Sequence, residues 1–386
     1  MLQTRQQIGA TGMRRIFFWT HFAMGLAAGV FILLMSVTGV LLTYERQIVA
    51  AAQNAAVHAE AGAEPLSVNA LADAAVQAGG GPGNVLALPR DRGDVVQLSK
   101  GRRETLLLDP YTGDVIPDAG ASVEAFFSRV ERIHRWLAFS GGRSDVGAAI
   151  NDASNLLFGL LLLSGTVLWW PKKWKWAFVK TQLFFRRGLP NAKARHYNWH
   201  HVLAAWSFVP LMAIVVSGAV FSYGWANRLV YAAYGEALPS GPAQQAEAPS
   251  AAPDVFTGTP ASLDLLAEQA TADFSNWQRL AITLPAAEAT SVSMSVDWGN
   301  GVQAAKKRTV TLARDGSGLV GAPVGDTGSA GQKARRFLRF LHTGEVYGLI
   351  GQTLAGLASL ASVVLVYTGI SLAFRRLARM RRNAKS

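Results

Sequence analysis

The sequence predicts a membrane protein: a four-helix transmembrane bundle built as two tandem span–lobe–span units, each carrying an α+β lobe on the outer side. Three observations predict it. Half of the 386 residues are hydrophobic and only 16% are charged, too apolar for a soluble chain of this length. Four stretches, Ile16 to Tyr44, Ala153 to Pro171, His196 to Asn227 and Val346 to Phe374, contain no Asp, Glu, Lys or Arg. Crossing the hydrocarbon core takes roughly 20 residues at about 1.5 Å each, so each stretch is long enough. Finally, the basic residues collect at the ends of these stretches: three in residues 1–20, eight in 171–195 and six in 375–386, with no acid in any of the three segments.

That charge placement sets the order of elements. Lys and Arg next to spans mark the cytoplasmic side, so residues 1–44 are a cytoplasmic N-terminus and span one, and 45–133 are the first lobe. Residues 134–171 are the outer entrance and span two, 172–195 a basic cytoplasmic loop, and 196–227 span three. Residues 228–341 form the second lobe, 342–374 span four, and 375–386 a basic cytoplasmic tail. Trp19, Trp169, Trp170, Trp174, Trp176 and Trp199 then form an aromatic belt near the cytoplasmic interface. Span one is too long for a signal-peptide core and is read as a retained anchor.

The lobes follow one plan. The first begins with a helix over Val68–Ala78, then strands at Asn84–Leu88, Asp94–Lys100 and Thr105–Leu108, closed by a turn at 109–114. The second has a helix over Leu263–Ala272, strands near Gln278–Leu284, Ser291–Trp298 and Thr309–Leu312, and a turn at Arg314-Asp315-Gly316. The Ala/Pro/Gln-rich stretch Pro239–Pro260 reads as a flexible connection.

Composition also removes whole classes of function. The net charge of +12 lies in the three span-flanking segments, and the rest of the chain carries 20 Lys/Arg against 25 Asp/Glu. No basic face remains for nucleic acid. With no cysteine, iron–sulfur clusters, covalent haem attachment, thiolate zinc sites and disulfides are excluded. No G-x-G-x-x-G follows a strand, so a dedicated NADPH or flavin domain is not expected.

The chemistry falls to histidine. Six of the seven histidines lie in or beside the spans, where an ionisable side chain points to function. His21 lies 18 residues before Gly39, and His200 lies 18 before Gly218, which pairs them at the cytoplasmic ends of spans one and three. His134 and His342 pair at the outer entrances of spans two and four. Two imidazoles facing each other across a helical bundle suit a haem iron, with small residues giving the ring room to approach. Gly25, Gly29, Gly39, Gly159, Gly165, Gly218, Gly356 and Gly369 supply such space. Another metal, a proton path and simple helix capping remain open on the residues alone. His201 is the runner-up to His200, and His196 shares the face of His200 one turn away, suited to a supporting role. Arg135 and Arg339 are the candidate partners for haem propionates.

Taken together, His21 with Thr38-Gly39, the "IHRWL" at 133–137, the "LHTG" at 341–344 and the "DPYTGDVI" at 109–116 resemble the PepSY-associated transmembrane family, and within it the ferrisiderophore reductases. The likeness covers nearly the whole chain, except that "ARDGSGLV" replaces the Asp-Pro turn in the second lobe. It implies two PepSY-like periplasmic lobes and a bacterial inner-membrane protein holding two non-covalent b-type haems. His21 and His200 would ligate one iron, and His134 and His342 the other. The implied activity is reduction of a ferric siderophore in the periplasm, docked beneath the lobes, to release Fe(II). The electrons would come from a cytoplasmic reductant, a separate reductase or a membrane quinol. Two other functions fit the same residues: a quinol-linked cytochrome b serving another periplasmic acceptor, and a non-catalytic PepSY protein that signals or inhibits a protease.

Overall fold

A computed structural model describes residues 2–101, 104–171, 174–239 and 255–384. The elements in chain order are α1 (Leu2–Leu42), α2 (Glu45–Asn54), α3 (Val68–Gln77), β1 (Val85–Pro89), β2 (Val96–Lys100), β3 (Glu104–Leu108), α4 (Ala121–Trp136), α5 (Ser144–Trp169) and α6 (Trp176–Leu183). They continue with α7 (Ala192–Ser222), α8 (Gly224–Ala232), α9 (Leu263–Thr271), β4 (Arg279–Thr283), β5 (Ser291–Asp297), β6 (Lys307–Ala313), α10 (Ala330–His342) and α11 (Gly348–Asn383). Most of the predicted connection at 239–260, and Lys172 and Lys173 of the basic loop, lie outside the described residues.

The chain divides into two compact units: residues 1–45, 126–237 and 330–386 in one, and 46–125 and 238–329 in the other. The first holds four helices long and apolar enough to cross a membrane. In it α1 packs on α5 and α11, and α7 packs on the same two, so α1 and α7 stand on one diagonal of a four-helix bundle. Small residues bring the helices close. Gly29 faces Val366 and Ile370, Gly159 faces Val215, and Gly356 faces Thr43. Ser36 donates to Ser362 at 2.8 Å in the buried α1–α11 seam. Leu160, Leu163, Val209, Val216, Leu357 and Leu360 stay exposed on the outer flanks, as a lipid-facing surface requires.

Two span boundaries differ from the sequence reading. The helix of span two begins at Ser144, ahead of the uncharged stretch that starts at Ala153, and His134 of the expected entrance lies in the last turn of a separate helix, α4. His342 likewise ends α10, ahead of α11. The chain reverses between them through Leu137 and Ala138, both with positive φ, and on the other side through Gly344. These corners are so tight that a Cβ on Gly147 would stand 2.1 Å from the Trp136 carbonyl oxygen. A Cβ on Gly351 would meet the Gly344 carbonyl at the same distance. The amphipathic α4 and α10 and the short α8 therefore belong chiefly with the bundle and not with the lobes, and the lobe boundaries 45–133 and 228–341 were drawn too wide. The basic loop at 172–195 contains α6, and α7 has begun before His196.

The second unit corrects the two-lobe picture more substantially. Its strands form one antiparallel sheet, ordered β3-β2-β1-β4-β5-β6. The halves join along β1 and β4, with Val85 opposite Thr283 and Pro89 opposite Arg279. Sequence periodicity located each strand to within about two residues, but which edges pair is decided by contacts almost 200 residues apart. Alternation puts Leu86, Leu88, Leu98, Leu280, Ile282, Val292 and Met294 into one continuous core with Leu71 and Ala75 of α3 and Leu266 and Ala270 of α9. The two helices also cap each other. Val68 and Asn69 donate backbone N–H groups to the Asp264 carboxylate at 2.7 and 3.1 Å, and the Leu263 N–H donates to Asn69 Oδ1 at 2.8 Å. The divergent second turn closes like the first: Leu108 bridges Val115, and Leu312 bridges Leu319.

Candidate functional site

The four paired histidines sit in cradles of one design. Each Nδ1 meets a Ser or Thr hydroxyl on a neighbouring span: His21 meets Ser164 at 2.9 Å, His134 meets Thr38 at 2.8 Å, His200 meets Thr368 at 3.0 Å and His342 meets Ser217 at 3.1 Å. The carbonyl three residues before each hydroxyl, at Leu161, Met35, Leu365 and Ile214 respectively, bonds the same imidazole. The residue after each hydroxyl is glycine. A Cβ built on Gly39, Gly165, Gly218 or Gly369 would stand 3.8, 3.5, 3.4 or 3.4 Å from the Cε1 of the matching ring. Of the eight glycines flagged in the sequence, these four face imidazoles. The other four face helix neighbours.

The hydroxyls settle which ring nitrogen carries the proton. Each donates its single hydrogen to the carbonyl four residues back in its own helix: Thr38 to Leu34 at 2.7 Å, Ser164 to Leu160 at 2.7 Å, Ser217 to Ala213 at 2.6 Å and Thr368 to Val364 at 2.7 Å. Towards histidine the hydroxyl can therefore only accept, as can the carbonyl beside it. Nδ1 must be the donor, which leaves the Nε2 lone pair free on the far edge of every ring. That is the tautomer a metal-ligating imidazole needs.

At the α4/α10 end, the His134 and His342 rings stand with centroids 6.5 Å apart and planes at 71°. A metal–nitrogen bond of about 2 Å on each side sets opposed imidazole centres about 6 Å apart, so this pair is spaced to share one metal. Both residues lie on helices outside the spans. Burial, followed by the neighbouring His342, holds the His134 imidazole well below its usual value, to about 4. Burial also lowers His342. Both rings are neutral at ordinary pH and able to ligate. The backbone of His134 is fixed as well, since Asn151 donates to its carbonyl at 2.9 Å.

At the α6 end, His21 on α1 and His200 on α7 lie on the bundle diagonal, within electrostatic reach of each other. The neighbouring His201 differs in kind. Its Nδ1 bonds the Tyr197 carbonyl of its own helix at 2.9 Å, its ring lies tilted by 31° against Tyr197 at 4.0 Å, and it stands 6.2 Å from the His200 ring. His196 bonds Ser371 Oγ at 2.9 Å. Seventeen residues separate His21 from Thr38, and also His200 from Ser217. At about 1.5 Å per residue the two sites are about 25 Å apart along the bundle.

Each of the two arginines contacts neighbours on its own helix. Arg135 pairs with Glu131 at 2.9 Å and lies over Trp136 at 4.3 Å. Arg339 lies over Phe340 at 5.7 Å. Arg14 donates to the Leu168 and Trp170 carbonyls, closing the end of α5. The supporting residues Ser164 and Thr368 are not evident from the histidine spacing. Their signal is the Ser/Thr-Gly pair that recurs once in every span, at 38–39, 164–165, 217–218 and 368–369. Among the described residues, no group of three or more His, Cys, Asp or Glu is arranged to hold a metal ion.

The sequence profile described as the PepSY-associated TM region matches residues 18–376. No curated protein matches the chain.

Proposed function

The chain belongs to the PepSY-associated transmembrane family, and we propose that it is a di-haem, b-type electron-transfer protein of the bacterial inner membrane that reduces ferric siderophores in the periplasm. The observation that supports this most is the fourfold cradle, which holds four imidazoles through Nδ1 and brings His134 and His342 to a ring separation of 6.5 Å. On this reading His21 and His200 hold one haem, His134 and His342 the other, and His201 neither. Two haems held there would supply one-electron redox centres near opposite ends of the bundle.

The protein's own part is to fix and to insulate. Ser164, Thr38, Thr368 and Ser217 hold the imidazoles in one orientation, so a haem iron bound there would find its ligands already placed. The bundle's apolar flanks keep the path out of water. We read the bundle as two duplicated halves, with the six-stranded unit and the α4/α10 end on the periplasmic side and the basic segments in the cytoplasm. There a siderophore holds Fe(III) through hard oxygen donors. One electron converts it to Fe(II), for which those donors have far weaker affinity, and the metal is released.

The test is spectroscopic. Purified protein from haem-replete cells is expected to carry two dithionite-reducible b-type haems per chain. Reduced protein mixed anaerobically with a ferric siderophore is expected to reoxidise at a rate set by the siderophore concentration, with Fe(II) appearing in step. A colourless preparation would leave a non-catalytic PepSY role in its place. Reoxidation indifferent to siderophore would point to another periplasmic acceptor.

A further inference from the structure

The two halves of the bundle are built alike around their α6-end histidines, which makes the places where they differ informative. Four residues before His21 stands Phe17, and four before His200 stands His196. One residue before and three after the cradle hydroxyl stand Leu163 and Val167 in α5, but Tyr367 and Ser371 in α11. In the α1/α5 half all three positions are hydrocarbon and line an open apolar groove. In the α7/α11 half they form a polar cluster. His196 Nδ1 meets Ser371 Oγ at 2.9 Å, and the His196 ring lies edge-on to Tyr367 at 5.4 Å. His196 is buried, while Tyr367 is 60% exposed on the outer flank of the bundle. The cluster lies at the α6 end of the bundle, with His196 next to Arg195 and Ser371 four residues before Arg375, and the other half fills the matching positions with hydrocarbon alone.

We infer that His196, Tyr367 and Ser371 form the oxidation site of a lipid-soluble hydroquinone, the source of electrons for the site held by His21 and His200. The inference rests on the electron-transfer reading above. Three features select the occupant. Tyr367 lies eight residues, about 12 Å, inside Arg375, the first charge after the span, and is exposed on the flank of the bundle, so the cluster opens to the acyl region at Tyr367 and reaches the charged α6 end at His196. The ligand can offer a hydroxyl to His196, whose ring is held to the protein through Nδ1 at Ser371 and whose second nitrogen is a hydrogen-bonding group by chemistry. It must also react one electron at a time beside His200, a single helical turn along α7. An isoprenoid hydroquinone meets all three.

Tyr367 is the cover over His196, and its phenol has to swing aside for a flat ring to enter. Each hydroquinone oxidised gives two electrons, in succession, to the His21/His200 site and thence to two ferric ions. Its two hydroxyl protons pass in turn to His196. From there they leave at the α6 end, since His196 is in the second turn of α7. The quinone returns to the bilayer, and electrons and protons balance.

The test uses the full chain, haem-loaded and reconstituted in liposomes, with short-chain ubiquinol and naphthoquinol as probes and absorbance of the reduced pigment as readout. Wild-type protein is expected to be reduced by at least one of them. His196→Gln is expected to slow that reduction tenfold or more and Ser371→Ala several-fold. Haem content, reduction by dithionite and reoxidation by ferric siderophore should stay unchanged. Phe17→Leu, at the matching position of the other half, is expected to keep the wild-type rate. A pigment that dithionite reduces and neither quinol does would overturn the inference while leaving the electron-transfer reading intact. So would a wild-type rate in His196→Gln, or an equal loss in Phe17→Leu. A colourless protein would overturn both.

Discussion

Replacing Thr38 by Val tests the cradle with the least change of shape. Valine has the volume of threonine but no hydroxyl, so the Nδ1–H of His134 loses the acceptor it holds at 2.8 Å and keeps only the Met35 carbonyl. The lost Thr38 donation to Leu34 at 2.7 Å matters less, because that carbonyl already serves the helix. Weakening the partner of a buried donor costs about 1–3 kcal/mol, which at about 1.4 kcal/mol per tenfold is roughly a 5- to 150-fold loss of affinity. That matches the 10- to 100-fold or so typical when a partner of a metal-ligating imidazole is removed. The prediction is that Thr38→Val binds its second haem weaker by that factor, read from haem-to-protein ratio on dilution, while the first haem is retained. The potential of the remaining outer haem should also rise, because a less strongly hydrogen-bonded imidazole is a poorer donor to Fe(III). Thr38→Ser keeps the oxygen and is expected to behave as wild type. If Thr38→Val holds both haems with unchanged affinity and potential, the hydroxyl is only packing and the tautomer argument fails.

The remaining predictions concern the same frame. His134→Ala or His342→Ala should lose one of two haems, and His21→Ala or His200→Ala the other, whereas His201→Ala should keep both; haem-to-protein ratios distinguish these outcomes. Gly218→Leu fills space that a bare Cβ would already occupy 3.4 Å from the His342 ring. It is expected to mimic His342→Ala in haem content, with the helices intact by circular dichroism. Asp264→Ala removes the acceptor of two N–H groups at the start of α3. It is expected to destabilise the six-stranded unit by about 1–2 kcal/mol, visible as faster limited proteolysis of that unit with haem content unchanged.

The sequence by itself determined most of what is periodic or compositional. The four spans, the six strands and helices α3 and α9 could all be read from residue patterns, because burial in lipid or in a half-covered sheet dictates residue type locally. The matching depth of His21 and His200 was also legible, since the same spacing to a Ser/Thr-Gly pair recurs along two helices. Only the tertiary structure decided what depends on which surfaces meet. Strands β1 and β4 join two expected lobes into one sheet because backbone groups at a strand edge pair with whatever edge is brought to them, and that information is spread over almost 200 residues. Helices α4 and α10 detach from the spans they precede because Leu137, Ala138 and Gly344 take up left-handed backbone, a choice that residue type at the first two does not announce. The role of Ser164 and Thr368 emerged in the same way. A hydroxyl inside a span can satisfy itself on its own helix, and only the imidazole placed against it by a neighbouring helix turns that local bond into a constraint on a proton.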